Sequence, residues 1–166
     1  MDCIDCYNSP LGKLTLASDG EKLIGLWFDG QKHFASSLKG TPIKKSLPVF
    51  EETIRWLDIY FNGGIPDFIP PLSLRGTPFQ KEVWEILLTI PYGKTMTYGE
   101  IAKMLADRRD LPRMSAQAVG GAVGRNPISI IVPCHRVLGS NGELTGYAGG
   151  IDKKARLLLI EQGSKK

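Results

Sequence analysis

Residues 97–124 read TYGEIAKMLADRRDLPRMSAQAVGGAVG, a pattern that predicts two short helices joined by a charged connection. The first four of these residues match a capping box, in which a hydroxyl and a carboxylate side chain satisfy free backbone N–H groups reciprocally. We therefore expect one helix over 98–106 and a second over 115–124, which together make a helix-turn-helix candidate. The connection, residues 107–114, is longer than the tight turn that is usual in this motif.

The second predicted helix is unusual because it contains Gly120, Gly121 and Gly124. Each glycine in a helix interior costs about 1 kcal/mol relative to alanine, so three of them need a reason. One interpretation is close packing against another helix. The other is that a helix with almost no side chains can press its backbone into a narrow groove, such as a DNA minor groove about 6 Å wide.

The chain before this stretch divides into a sheet-and-helix unit and a linker. Residues 10–30 contain two apolar runs separated by turn signals, which predicts strands. Pro48 can begin a helix whose apolar residues recur at helical spacing. Residues 65–76 contain three prolines and predict a linker. The expected domains are therefore 1–64, with a small sheet and helix, and 77–166, which is mainly helical.

Composition restricts the class of protein. A hydrophobic content of 42% is enough for a core, and a net charge of +4 with a pI near 9.0 suits a polyanionic partner without requiring one. The N-terminus lacks a secretory pattern, and no apolar stretch approaches the roughly 20 residues that span a bilayer. Three cysteines, an odd count, indicate reduced thiols. We therefore expect a cytoplasmic protein that does not associate with membranes.

A cysteine and a histidine follow a short apolar run near the end of the chain. Residues 128–132 are continuously apolar except for one serine and predict a buried strand or extended segment, after which come Cys134 and His135. A cysteine here is often only a small apolar filler. It is instead a nucleophile if a base helps to form its thiolate. Because neighbouring side chains diverge, a bridging water is the expected link between them. From these residues alone, the two interpretations are equally supported.

The motifs along the chain carry a resemblance to a known family. The matching segments are Ser9–Gly12, residues 77–80 with Trp84, residues 90–93, Thr97-Tyr98, Asn126-Pro127, Pro133–Val137 and residues 146–150. In this order they resemble the methylated-DNA–protein-cysteine methyltransferases, also called O6-alkylguanine-DNA alkyltransferases, over about residues 8–163. The resemblance implies an α/β (α+β) fold: a small N-terminal ribonuclease-H-like antiparallel sheet with a helix, then a mainly helical domain with a winged-helix-like helix-turn-helix.

The resemblance also implies a single-turnover DNA repair enzyme. Cys134 would accept the alkyl group from O6-alkylguanine, with or without O4-alkylthymine as a second substrate. His135 would take the thiol proton through a water, and Glu161 would orient the imidazole and stabilise its charged form. Asn126 would brace the turn, and Tyr98 would donate its hydroxyl to guanine N3, because guanine leaves better as a neutral base.

The resemblance further implies a glycine-rich flap over the base. Residues 144–150 would form this flap, with Tyr147, Ala148 and Gly149 facing the extruded guanine. Val137 would contribute a backbone contact.

Double-stranded DNA containing O6-alkylguanine is the implied partner. Because the target atom lies inside the duplex, the nucleotide must be extruded into a pocket. Relatives fill the resulting gap with an arginine, whereas this chain has Gln117 at the matching position. The residues expected to contact DNA are Thr97, Arg113, Gln117, Ala118, Gly120 and Arg125.

No metal or cofactor is expected, and the protein is expected to act as a monomer. Cys3 and Cys6 have the spacing of a metal motif, but with His33 they supply only three ligands, which is short of a closed zinc site. Two rival functions remain: a non-catalytic alkyltransferase-like or helix-turn-helix DNA-binding protein, and a cysteine hydrolase that uses Cys134 and His135.

Overall fold

The N-terminal half forms a four-stranded sheet with one helix. The computed structural model describes residues 1–163. The elements are β1 (Cys3–Ser9), β2 (Gly12–Ser18), β3 (Leu23–Phe28), β4 (Ile43–Lys44) and α1 (Pro48–Phe61). The strand order is β3-β2-β1-β4. The first three strands are antiparallel, as predicted, but β4 pairs in parallel with β1. The sheet is therefore mixed, whereas the prediction was an antiparallel sheet.

Two details of this half differ from the sequence-based expectation. Residues 3–9 form a strand that was not predicted, because Asp5 and Asn8 interrupt the apolar alternation that identifies a strand. Pro10 and Leu11, at the start of the region 10–30 for which strands were predicted, instead form the turn between Ser9, the last residue of β1, and Gly12, the first residue of β2. The Ser9 hydroxyl stabilises this turn by donating to the Gly12 carbonyl at 2.6 Å.

The C-terminal half is mainly helical, as predicted. Its elements are α2 (Pro78–Leu87), β5 (Met96–Thr97), α3 (Tyr98–Arg108), α4 (Ala116–Gly124), a 3₁₀ turn (Cys134–Arg136), β6 (Val137–Leu138) and α5 (Ile151–Glu161). The capping box predicted at Thr97 is present, and Thr77 and Ser115 likewise accept a backbone N–H at the start of their helices. The predicted α+β fold class, with a small N-terminal sheet and a helical C-terminal part, is confirmed.

A short parallel strand pair joins the helix-turn-helix to the cysteine turn. Met96 pairs with Val137, and Thr97 pairs with Leu138. Since Tyr98 directly follows β5 and the Cys134–Arg136 turn directly precedes β6, this pairing brings the start of α3 next to the cysteine.

Residues 128–132 are buried, as expected, but apart from a bridge between Ile128 and Leu26 of β3 they form turns rather than the predicted strand or extended segment. Ile130 has a φ of +71°, which is incompatible with extended structure. The Asn126 side chain replaces the missing strand partners: its Nδ2 donates to the Val132 carbonyl at 2.8 Å, and its Oδ1 accepts from the Ile128 amide at 2.9 Å. A β-branched run alone could not reveal that a neighbouring amide would satisfy its backbone.

The two halves share one hydrophobic core. The Leu26 amide of β3 donates to the Pro127 carbonyl, and the Ser129 amide donates back to Leu26. The segment 65–76 is irregular but is attached to the sheet, since Leu23 exchanges hydrogen bonds with Pro71 and Ser73. The division of the chain into separate domains at this segment stays a prediction. Within residues 1–163 no helix is both long and apolar enough to cross a membrane.

Candidate active site

A cavity of about 300 Å³ lies between α4, the cysteine turn and the loop before α5. Its lining residues are Lys32, His33, Tyr98, Gly120, Gly121, Val123, Gly124, Arg125, Cys134, Gly146, Tyr147 and Ala148. Cys134 is only 5% exposed, yet it reaches this cavity. The glycines of α4 form one wall, so the thiol is connected to the surface that α4 presents.

Burial determines the state of the thiol. Cys134 lies in the 3₁₀ turn after Pro133, and its amide donates to the Val132 carbonyl at 2.8 Å. Burial raises the pKa of the Cys134 thiol to about 11, against the smaller opposing effects of the Asn126 side chain and the Lys154 charge. Cys134 is therefore a neutral thiol at neutral pH.

His135 is completely buried and bonded to Glu161. Its Nε2 lies 2.6 Å from Oε2 of Glu161, and both side chains have no exposed surface. Burial lowers the pKa of His135, and Glu161 only partly offsets this effect. A neutral imidazole that donates Nε2–H to a carboxylate keeps Nδ1 as its basic atom. Nδ1 has no hydrogen-bond partner among residues 1–163 and is therefore the atom that can receive a proton.

Glu161 is the centre of a buried hydrogen-bond network. Arg136 donates Nε to Oε1 at 2.7 Å and Nη2 to Oε2 at 3.1 Å. The Tyr60 hydroxyl donates to Oε2 at 2.7 Å, and the Gly93 amide donates to Oε1 at 3.3 Å. Burial opposes ionisation, but the His135 and Arg136 hydrogen bonds outweigh it and lower the pKa of Glu161 to about 2. We call these five residues the Glu161 network.

The flap, residues 144–150, is attached to the site by a buried lysine. Lys154 on α5 has no exposed surface, and its Nζ donates to the Thr145 carbonyl at 2.7 Å and to the Gly146 carbonyl at 3.2 Å. The Tyr98 hydroxyl donates to the same Thr145 carbonyl at 3.4 Å. Burial lowers the pKa of Lys154 to about 8.

The structure brings most of the predicted site residues together. Tyr98, Tyr147, Ala148, Gly120 and Arg125 line the cavity with Cys134. Beneath it lie three buried residues: Asn126, His135 and Glu161.

Other predicted residues lie outside the cavity lining. Val137 is fully buried in β6, and Gly149 packs beside Phe28. Gln117, Ala118 and Arg113 are exposed on and before α4, and Thr97 caps α3.

Sequence reasoning missed the site role of five residues, of which His33 was considered only as a zinc ligand; the other four are Tyr60, Arg136, Lys154 and Lys32. Arg136 follows the Cys134-His135 pair and could have been proposed from that position. Tyr60 is one of several buried aromatics on α1, and its pairing with Glu161, 101 positions away, depends on tertiary packing. Lys154 is on a helix with several charged residues, where a lysine ordinarily lies in solvent.

Packing within the protein does not explain two of the three glycines of α4. A Cβ atom added at Gly121 or Gly124 would meet no described heavy atom within 4 Å. At Gly120 it would make an ordinary contact, 3.8 Å from the Tyr98 ring. The first interpretation, helix–helix packing, is therefore wrong for Gly121 and Gly124. The second interpretation, in which the α4 backbone approaches an external partner closely, remains for these two glycines.

The part of the chain that the structure describes contains no group of three or more residues of metal-ligating type arranged to hold an ion. Cys3 is buried and Cys6 is half-buried on β1, and neither forms a disulfide.

Comparisons with known proteins match both halves of the chain. Residues 4–74 match the family model described as "6-O-methylguanine DNA methyltransferase, ribonuclease-like domain", and residues 78–163 match the model of its "DNA binding domain". The methylated-DNA–protein-cysteine methyltransferase of Mycobacterium bovis is 48% identical over 155 residues, which cover 93% of this chain and 89% of the relative. That of Methanosarcina acetivorans is 44% identical over 165 residues, with 93% and 95% covered.

Solved structures agree with this similarity. The crystal structure of Mycobacterium tuberculosis OGT in complex with DNA superposes with a TM-score of 0.82 at 45% identity, covering 96% of this chain and 92% of the other. An O6-methylguanine DNA methyltransferase from Methanococcus jannaschii gives a TM-score of 0.63 at 28% identity, covering 95% and 93%.

Proposed function

Since the chain belongs to the family of 6-O-methylguanine DNA methyltransferases, which repair DNA by alkyl transfer to a cysteine, we propose that Cys134 is the acceptor. The observation that carries this assignment is the position of Cys134 in a cavity that reaches α4, with the His135–Glu161 pair behind it. Cys3 and Cys6 lie on β1 and do not line this cavity.

The reaction is an in-line displacement at the alkyl carbon. The Cys134 sulfur forms a C–S bond while the bond from the alkyl carbon to guanine O6 breaks, and its electron pair stays on guanine. The thiol proton passes through a water to Nδ1 of His135, and Glu161 stabilises the resulting imidazolium. Tyr98, whose pKa burial raises above its usual value and which is therefore protonated, donates to guanine N3 and lets the base leave neutral.

The resting site is unreactive. A neutral thiol beside a neutral imidazole is a poor nucleophile until proton transfer accompanies the attack. Because the thioether product is stable and no described group is arranged to cleave it, each molecule reacts once.

The surface around the cavity suits duplex DNA. Ala116, Gln117 and Ala118 are exposed at the start of α4, and Gly121 is exposed one turn later. This face can approach a minor groove closely, and the Gln117 amide would then occupy the gap left by the extruded base. Arg113 and Arg125 are exposed on either side of α4 and suit phosphate contacts. We propose that the protein acts on duplex DNA that contains O6-alkylguanine, and that it does so as a monomer. We further propose that it acts in the cytoplasm, a reducing compartment that fits its three free cysteines.

Incubation with duplex DNA containing one O6-methylguanine, followed by peptide mass spectrometry, tests the proposal. We expect one methyl group per protein molecule, on the peptide that contains Cys134. Cys134→Ser should abolish transfer, while Cys6→Ser, the matched control, should retain it. An unmodified protein that still binds the duplex would indicate a non-catalytic DNA-binding protein, and many turnovers per molecule would indicate a hydrolase. Either result would contradict the proposal.

A further inference from the structure

The loop between β3 and β4 contributes two residues to the rim of the cavity. Lys32 and His33 line the cavity together with Cys134, although they belong to the N-terminal half of the chain. Both side chains are exposed. They are therefore located where solvent, or a bound nucleic acid, meets the cavity.

This loop is held in a defined conformation by its own side chains. The Gln31 Oε1 accepts the Phe28 amide at 2.8 Å and the Ser129 hydroxyl at 3.4 Å. The Ser37 hydroxyl donates to the Ile24 carbonyl at 2.8 Å. Bonds at Gln31 and Ser37, on either side of Lys32 and His33, limit how far these two residues can move.

The backbone between these anchors has an uncommon conformation. His33 has a φ of +59°. A non-glycine residue in this region is costly and is retained where the surroundings or a function require it. The conformation directs the chain so that His33 lies at the cavity.

The loop also contacts the flap directly. The Lys32 amide donates to the Ala148 carbonyl at 3.1 Å. The Lys32 backbone is consequently fixed next to the flap, and the rim is continuous from the N-terminal half to the loop before α5.

The rim carries positive charge on both sides of a largely uncharged cavity. Arg125 lies at the end of α4, and Lys32 lies on the loop, next to His33. A nucleotide whose base occupies the cavity leaves its sugar and its two flanking phosphates at the rim. Lysine binds a phosphate as a point charge, and a histidine ring N–H can donate to one.

We propose that Lys32 and His33 bind a phosphate adjacent to the extruded nucleotide, so that the N-terminal half of the chain takes part in substrate binding. This proposal rests on the proposed function, because only an extruded nucleotide would bring a phosphate to this rim. Lys32 and His33 then form the second side of a clamp whose first side is α4 with Arg125.

The test compares Lys32→Gln and His33→Ala with wild type, on duplex DNA containing O6-methylguanine and on the free base O6-methylguanine, which has no phosphate. We expect the second-order rate constant for alkylation of Cys134 to fall roughly threefold to tenfold more with the duplex than with the free base. For Lys32→Gln, the plot of log affinity for the duplex against log salt concentration should become shallower, with the magnitude of its negative slope smaller by about 1. Lys22→Gln is the control: it removes the same charge from an exposed turn of the N-terminal half and should react like wild type.

A second substrate makes the test specific to one contact. Replacing each flanking phosphate in turn by a neutral methylphosphonate should slow wild type at one of the two positions, and Lys32→Gln should add little further loss there. Equal losses on duplex and free base would mean that the loop only supports the flap, and undiminished duplex rates would remove any role; both overturn the proposal. Failure of the proposed function is distinguishable, because wild type itself would then not be alkylated.

Discussion

The Glu161 network and the flap enclose the same cysteine but are constructed differently. In the network, a carboxylate with no exposed surface accepts five hydrogen bonds from four residues on three parts of the chain. The flap is exposed or half-buried along its length, and the described contacts that hold it are mainly those of Lys154, Tyr98 and Lys32.

This difference fits the role that the proposed reaction gives to each part. The imidazole that receives the proton needs one orientation, which a densely bonded carboxylate provides. In that reaction the flap would admit the base into the cavity, which few attachments allow. A buried lysine meets this requirement because two charge-assisted bonds hold several residues.

Removing the centre of the network should have the largest effect. Glu161→Ala leaves the buried Arg136 charge without its carboxylate, so we expect the free energy of unfolding to fall by about 3–5 kcal/mol and transfer to be lost with it. Urea denaturation of this variant beside Glu143→Ala, which removes an exposed carboxylate next to the flap, measures the difference. A loss below 1 kcal/mol would show that the network is not structural.

The pH dependence of Glu161→Gln sharpens the same point. The folded-state pKa of Glu161, about 2, lies below its ordinary value near 4.5, so its ionisation contributes stability above pH 4.5 that is lost as the pH falls toward 2. The stability difference between wild type and Glu161→Gln should therefore narrow over this range. A constant difference would contradict the assignment.

The flap lysine should respond to pH in the same direction, but in the alkaline range. The pKa of Lys154, about 8 in the folded protein, lies below its ordinary value of 10.5, so the unfolded chain binds the extra proton between these values and stability rises with pH there. Compared with Lys154→Met, wild type should gain up to about 3 kcal/mol from pH 8 to 10.5. Denaturation at several pH values measures this gain, and its absence would contradict the burial of a charged Lys154.

Local opening distinguishes the flap from the network. Lys154→Met should increase amide hydrogen exchange in residues 144–150 and leave the amides of the Cys134–Arg136 turn protected. Lys153→Met is the matched control, since Lys153 on the same helix lies over the Phe28 ring. Equal protection in all three proteins would show that Lys154 does not hold the flap.

The thiol itself should be slow toward simple alkylating agents. With a pKa of about 11, Cys134 has a thiolate fraction at neutral pH about 100-fold below that of an ordinary cysteine. Its reaction with iodoacetamide, followed by mass spectrometry against pH, should rise toward a midpoint near 11, with Cys6 as an internal reference. A midpoint below 9 would mean that the network already activates the resting thiol.

Features of the structure that depend on residues close together in the sequence were predictable, and those that join distant positions were not. The helix starts at Thr77, Thr97 and Ser115 were predictable because caps are local. The roles assigned to Cys134, His135 and Glu161 came from family resemblance, since nothing local relates positions 26 residues apart.

What the sequence missed depends on tertiary packing. The burial of Lys154 and the bond from Tyr60 to Glu161 follow from how α5 and α1 meet the core, which no sequence period encodes. The turn at Ile130 was predicted as part of a strand or extended segment, but the Asn126 side chain bonds the backbone on either side of it, at Ile128 and Val132. The bonds of this segment to a strand are limited to those of Pro127 and Ser129 with Leu26.

The smallest expected effect is that of a substitution in α4, which forms one wall of the cavity. It should change stability and DNA binding in opposite directions. Gly121→Ala adds a Cβ into open space within a helix, so the free energy of unfolding should rise by up to about 1 kcal/mol. The same methyl group points to the surface proposed to meet DNA, so duplex binding should weaken, and the loss in alkylation rate should be larger with duplex DNA than with the free base. Thermal denaturation and the two rates measure these changes. A variant that is more stable and binds the duplex as tightly as wild type would show that α4 does not approach DNA closely. Neither packing nor DNA binding would then explain why Gly121 is a glycine.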